Sequence, residues 1–116
     1  QMYFKGVGVP KDLKEVAKFL SQACDGKIMA ACFNLGVMYM DGMGVEQDDF
    51  EASDFFQKGC ELGDSASCQN IAIAYLRGEG RPQDEGDALK YFRKGCELKN
   101  QKSCHDYAKL KKGKLY

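Results

Sequence analysis

"KGCELGDSASC" (58–68) and "KGCELKNQKSC" (94–104) each place two cysteines eight positions apart, and the second stretch follows the first by 36 residues. Self-similarity at a fixed period between about 20 and 50 residues marks a stacked-repeat protein and decides the architecture before any helix or strand is assigned. Sliding the chain by 36 puts its six cysteines into two columns, Cys24, Cys60 and Cys96 in one and Cys32, Cys68 and Cys104 in the other. The same slide superposes Gly6, Gly42 and Gly78, then Gly8, Gly44 and Gly80, Asp12, Asp48 and Asp84, and Tyr3, Tyr39 and Tyr75. Phe55-Phe56 falls on Tyr91-Phe92 and, more weakly, on Phe19-Leu20.

At 116 residues the period allows about three units, each touching only its neighbours. The expected division is a partial repeat over 1–28, full repeats over 29–64 and 65–100, and a capping helix over 101–116. Gln1 to Lys5 align with the last helical turn at 36–41, so the chain is expected to begin inside a repeat of a longer array. Lysine plus arginine equal aspartate plus glutamate at 17 each, leaving no basic field to attract nucleic acid. No apolar run approaches the roughly 20 residues of a spanning helix, and the chain is expected to act as a monomer without a membrane span.

Between the glycine columns the apolar period is near 3.6. Ala52, Phe55, Phe56 and Gly59-Cys60 form one helical face, and Ala31, Leu35, Gly36, Met38 and Tyr39 form another. Asp12, Asp48 and Asp84 each stand three residues before an acidic side chain, the pattern of an N-cap with its box. Gly42-x-Gly44 and Gly78-x-Gly80 close the alternate helices and let the chain reverse. The spacing predicts helices near 12–25, 29–41, 48–61, 66–77, 84–97 and 102–112, an all-α solenoid. Small residues (Gly36, Ala72, Ala108; Ala23, Gly59, Gly95) stand where antiparallel helices need close approach. Leu35, Ile71, Tyr39 and Tyr75 are expected to pack between helices, as is Met38.

The first cysteine of each pair falls in the last turn of one helix and the second in the first turn of the next. A tight antiparallel turn would join Cys24 to Cys32, Cys60 to Cys68 and Cys96 to Cys104, each worth roughly 2.5 kcal/mol in the chain-entropy model. Two other readings are buried free thiols and zinc. Zinc ligands are usually spaced by two to four residues, and His105 is the single histidine available. No metal or cofactor is expected.

Leu35-Gly36-x-x-Tyr39-x-x-Gly42-x-Gly44-Val45-x-x-Asp48, followed by Ala52-x-x-Phe55-Phe56-x-Lys58-Gly59-Cys60, resembles the Sel1-like repeat. The added Cys-x7-Cys resembles the Hcp group, cysteine-rich bacterial proteins of this type. The resemblance implies a right-handed superhelix related to tetratricopeptide arrays, disulfide-bridged within each repeat and exported, hence secreted or periplasmic. It also implies a concave groove binding a peptide or protein. By that analogy the groove is lined by Phe33, Val37, Met40 and Asp41, then Gln69, Ile73 and Arg77, then His105 and Lys109. Phe33, Met40 and Arg77 carry no packing duty in this reading. The sequence departs from the repeat at Ala72 and Ala108 for glycine, Lys111 for tyrosine and Arg81 for valine; the polar last helix, with Lys109, Lys111, Lys112 and Lys114, suits a terminal cap.

Some Hcp-type proteins are classed as penicillin-binding proteins or β-lactamases, which makes that chemistry the alternative. Ser21, Ser53, Ser65, Ser67 and Ser103 begin no Ser-x-x-Lys, and neither Lys-Thr-Gly nor Ser-Asp-Asn occurs. One histidine is too few for a zinc lactamase. The paired acids Asp48-Asp49 and Glu85 to Asp87 read as charges at helix N-termini, where the macrodipole favours them. No catalytic residue is assigned.

Overall fold

The computed structural model describes residues 9–113. Gln1–Lys5, Gly6, Gly8 and Lys114 lie outside the described residues, and with them the first members of several columns. Among the described residues there are six helices: α1 (Val9–Asp25), α2 (Met29–Asp41), α3 (Asp49–Glu61), α4 (Ser65–Arg77), α5 (Glu85–Glu97) and α6 (Gln101–Lys111). Each packs against the next along the chain, and α4 also touches α6, so successive hairpins stack into a solenoid 49 Å long and 22–23 Å across.

The starts and stops are chemical. Asp48 and Asp84 stand in extended conformation and their carboxylates accept from the backbone N–H groups of Glu51 and Asp87. Gly42 and Gly78 end α2 and α4 in the left-handed region, with φ of 71° and 73°. The second glycine of each pair does a different job. Gly44 and Gly80 have φ of 77°, and a Cβ on either would strike the backbone of an earlier helix, at Leu13 in α1 and at Asp49–Phe50 in α3. The turn of one repeat is thereby seated on the helix start of the repeat before it, which fixes the stacking register.

Three helix starts differ notably from the sequence reading. Helix α1 begins at Val9, so Asp12 lies in its first turn and does not cap it; Pro10 fits there because the first turn needs no amide hydrogen from it. Helices α4 and α6 each begin one residue early, because Asp64 and Asn100 accept from the N–H groups of Ser67 and Ser103. Ile28 stands in the same column without a capping side chain.

Packing follows the columns. Leu35, Ile71, Ala72, Ala88 and Phe92 are at most 1 % exposed. The Tyr39 and Phe55 rings stack at 5.6 Å, and the pair 36 residues on, Tyr75 and Tyr91, stack at 5.8 Å. A Cβ on Gly36 would enter the Phe56 ring, and one on Gly59 or Gly95 would meet Ser67 or Ser103. Ala108 is exposed, contrary to expectation. Its column packs against the following helix, as Gly36 does against Phe56 of α3, and no helix follows α6 among the described residues.

Disulfides join Cys24 to Cys32, Cys60 to Cys68 and Cys96 to Cys104, with Cα atoms 4.7, 4.5 and 4.4 Å apart. None of the six cysteines is free. Each bridge ties the last turn of one helix to the first turn of the next.

Burial, and after it the charges of Tyr75, Glu61 and Asp87, raises the Tyr91 hydroxyl above its ordinary value of 10.0. The unfolded chain then loses that proton first on raising the pH. The stability held by neutral Tyr91 is complete below the unfolded value and is lost as pH rises toward the folded one. Thermal melts should therefore fall as the pH is raised past about 10, and Tyr91→Phe should flatten that fall. An equally steep fall in the variant would assign it elsewhere.

Candidate functional site

Alternate helices α2, α4 and α6 present one face of the solenoid, and an apolar-floored opening on it lies between α2 and α4. It is a cleft of about 220 Å3. Its floor comes from α3 and α4 in Ala52, Ser53, Phe56 and Ala74, all at most 7 % exposed. Its rim comes from Met40, Asp49, Asn70, Ile73, Arg77 and Glu79. Helix α2 delivers Met40 from its last turn, 43 % exposed, and α4 delivers Asn70, Ile73 and Arg77 at helical spacing along one face.

The rim is mixed in charge. Gln47 donates to Asp49 Oδ1 at 2.6 Å, whereas Arg77 and Glu79 form no ion pair among the described residues. The Ser53 hydroxyl donates to the Phe50 carbonyl within its own helix, so the floor offers no free hydroxyl.

Of the nine groove residues expected from sequence, Met40, Ile73 and Arg77 line this one cleft. Val37 and Ile73 are half-buried and pack against the core as well. Asp41, His105 and Lys109 are exposed and lie outside the cleft. Phe33 is half-buried with its ring 5.8 Å from that of Phe56, so it does carry a packing duty. Gln69 is the clearest departure. It is 6 % exposed, its Nε2 donates to Asp106 Oδ2 at 2.9 Å, and its Oε1 accepts from the Ser103 hydroxyl. Both ends of its amide are used in joining α4 to α6, because a buried amide must be satisfied internally. Phe33 and His105 occupy the same column, yet Gln69 serves as an inter-repeat clasp.

Sequence reasoning missed the floor: Ala52 and Phe56 are part of the repeat motif but read there as helix packing, and Ser53 and Ala74 belong to no motif, marked only by their small size. It also missed what Arg81 does. Its guanidinium lies 4.9 Å from the centre of the Phe50 ring and 3.4 Å from Asp54 Oδ1, so the residue that departs from the repeat pattern braces two repeats.

A second opening of about 250 Å3 lies at the bridged end of the hairpins between Cys24, Asp25, Lys27, Lys58, Glu61 and Leu62. Two acids and two lysines balance there, beside Leu62 and the buried Cys24 of the first disulfide. Three of the five serines are occupied in the framework: Ser53 donates to the Phe50 carbonyl, Ser67 to Asp64 and Ser103 to Gln69. Among the described residues no group of three or more histidine, cysteine or acidic side chains is placed to hold a metal, and no helix is long and apolar enough to cross a membrane.

No curated protein matches the chain. Among solved structures, a cysteine-rich protein B of Helicobacter pylori is 30 % identical with a TM-score of 0.74, over 77 % of this chain and 67 % of its own. A Sel1 repeat protein from Oxalobacter formigenes shares the fold at 20 % identity and a TM-score of 0.80, over 89 % of this chain and 43 % of its own. The protein c5321, a protective antigen present in uropathogenic Escherichia coli strains, is 33 % identical with a TM-score of 0.75, over 85 % of this chain. The chain spans 43 % and 21 % of the length of the latter two. The Sel1 repeat model matches residues 1–27, 30–64 and 65–100, on the same period that the cysteine columns mark, and the chain belongs to the Sel1 repeat family.

Proposed function

We propose that this chain is an exported scaffold that captures a peptide or protein segment along the face built by α2, α4 and α6. The disulfide-stapled Sel1 array is a protein-interaction fold, and a solenoid presents an extended surface on which each repeat adds one increment of contact. The observation that carries the reading is the cleft between α2 and α4, where the exposed Met40 thioether and the Arg77 guanidinium, without an ion pair among the described residues, overhang a buried apolar floor. Methionine and arginine are among the residue types enriched at interfaces.

Export rests on the cysteines. Three local bridges with no thiol left over belong to oxidising compartments, because cytosolic thiol systems keep such pairs reduced. The location proposed is therefore secreted or periplasmic. No observation favours a β-lactam site.

Panning the folded, oxidised chain against a randomised linear peptide library tests the proposal. Enrichment of peptides that bind with dissociation constants of about 1–100 μM is expected, and that binding should survive blocking of the charged outer shelf of α5 at Lys90, Arg93 and Lys94. Failure to enrich any peptide would contradict it.

A further inference from the structure

The cleft exists because two columns shrink at one place in the array. Positions 17, 53 and 89 are equivalent, as are 38, 74 and 110, and each first-column residue stands on a helix that packs against the helix carrying its second-column counterpart. The three intervals hold Ala17 with Met38, Ser53 with Ala74, and Leu89 with Leu110. Met38 and Leu110 are buried at 5 % and 6 % exposure, and Leu89 packs against the core. Both positions are small only between α3 and α4, and there the cleft of about 220 Å3 opens.

Resting on the reading of this face as a peptide-binding surface, we infer that the cleft is the specificity pocket of the array and takes one large apolar side chain, leucine, methionine or phenylalanine, from a peptide with a basic residue beside it. The size suits a single side chain, smaller than the usual space for a whole small molecule of about 300–1,000 Å3. The floor of Ala52, Phe56 and Ala74 is apolar, and the one hydroxyl there, Ser53, is already bonded. A polar anchor would find no side-chain hydrogen-bond donor free on that floor, so burying one there is unfavourable. The rim sets the flanking charge: Asp49 and Glu79 outnumber Arg77, leaving one net negative charge at the mouth.

The neighbouring repeats supply the test, since they show which larger residues these columns accommodate. Ser53→Leu with Ala74→Leu copies the third interval, and Ala74→Met alone copies Met38 of the first. Both variants should keep the helical spectrum and melt at or above the wild-type temperature, because a void is filled. If the double variant folds poorly, the single one carries the test.

Peptides recovered from the library are expected to share a Leu, Met or Phe anchor next to Lys or Arg. The filled variants should bind them at least about tenfold more weakly, and Glu79→Lys should weaken them severalfold by reversing the rim charge. Recovered peptides that bind the filled variants as tightly as the wild type would overturn the pocket while leaving the peptide-binding face standing. Recovery of peptides with no shared apolar anchor would overturn it equally. A library that yields no binder to the wild type would remove the face itself, and the pocket with it.

Discussion

Reduction of the three disulfides is expected to lower the melting temperature by roughly 15 to 30 degrees. Each bridge closes a short loop and removes chain entropy from the unfolded state, about 2.5 kcal/mol in that model, so even two of three amount to roughly 5 kcal/mol. A small domain's whole stability is about 5–15 kcal/mol, and 1 kcal/mol moves the melt of a chain this size by several degrees. A solenoid has few contacts distant in sequence to fall back on, since each repeat touches only its neighbours. Calorimetry with and without a thiol reductant decides the matter. An unchanged melt would mean that helix packing suffices and the bridges are incidental.

Phe92→Ala is expected to be the most damaging single truncation, costing about 3–5 kcal/mol. Its ring is fully buried, in the same column as Phe56, which fills the space that Gly36 leaves. Phe50→Ala removes a ring that is 55 % exposed, held by the Arg81 guanidinium on one face, and should cost no more than about 1 kcal/mol. Denaturant titration of the two variants separates a filled interior from a surface brace. Equal losses would mean that the burial pattern is misassigned.

The period carried most of the fold. Because Cys60 and Cys96 stand 36 apart, the helix order, the two glycine turns and the local cysteine pairs follow from spacing and turn chemistry. Boundaries were less legible: Asp64 and Asn100 cap helices, whereas Ile28 in their column does not, so the column alone gave no warning. The site was legible only in part. Met40 and Arg77 stand out because a helical face repeats, but Gln69 occupies the same face and is consumed by Ser103 and Asp106 from the next repeat. Such a partner is 34 or 37 residues away, and spacing alone does not show which residue of a column will be clasped. The floor was written in the sequence as absence of bulk at Ser53 and Ala74, a signal visible only by comparing columns.

The most direct test of the account is amide shift mapping of the oxidised protein titrated with a peptide recovered from the library. The account predicts that perturbations concentrate on Met40, Asn70, Ile73 and Arg77, at the cleft between α2 and α4. Perturbations confined to Lys90, Arg93 and Lys94 on the outer shelf of α5 would contradict it.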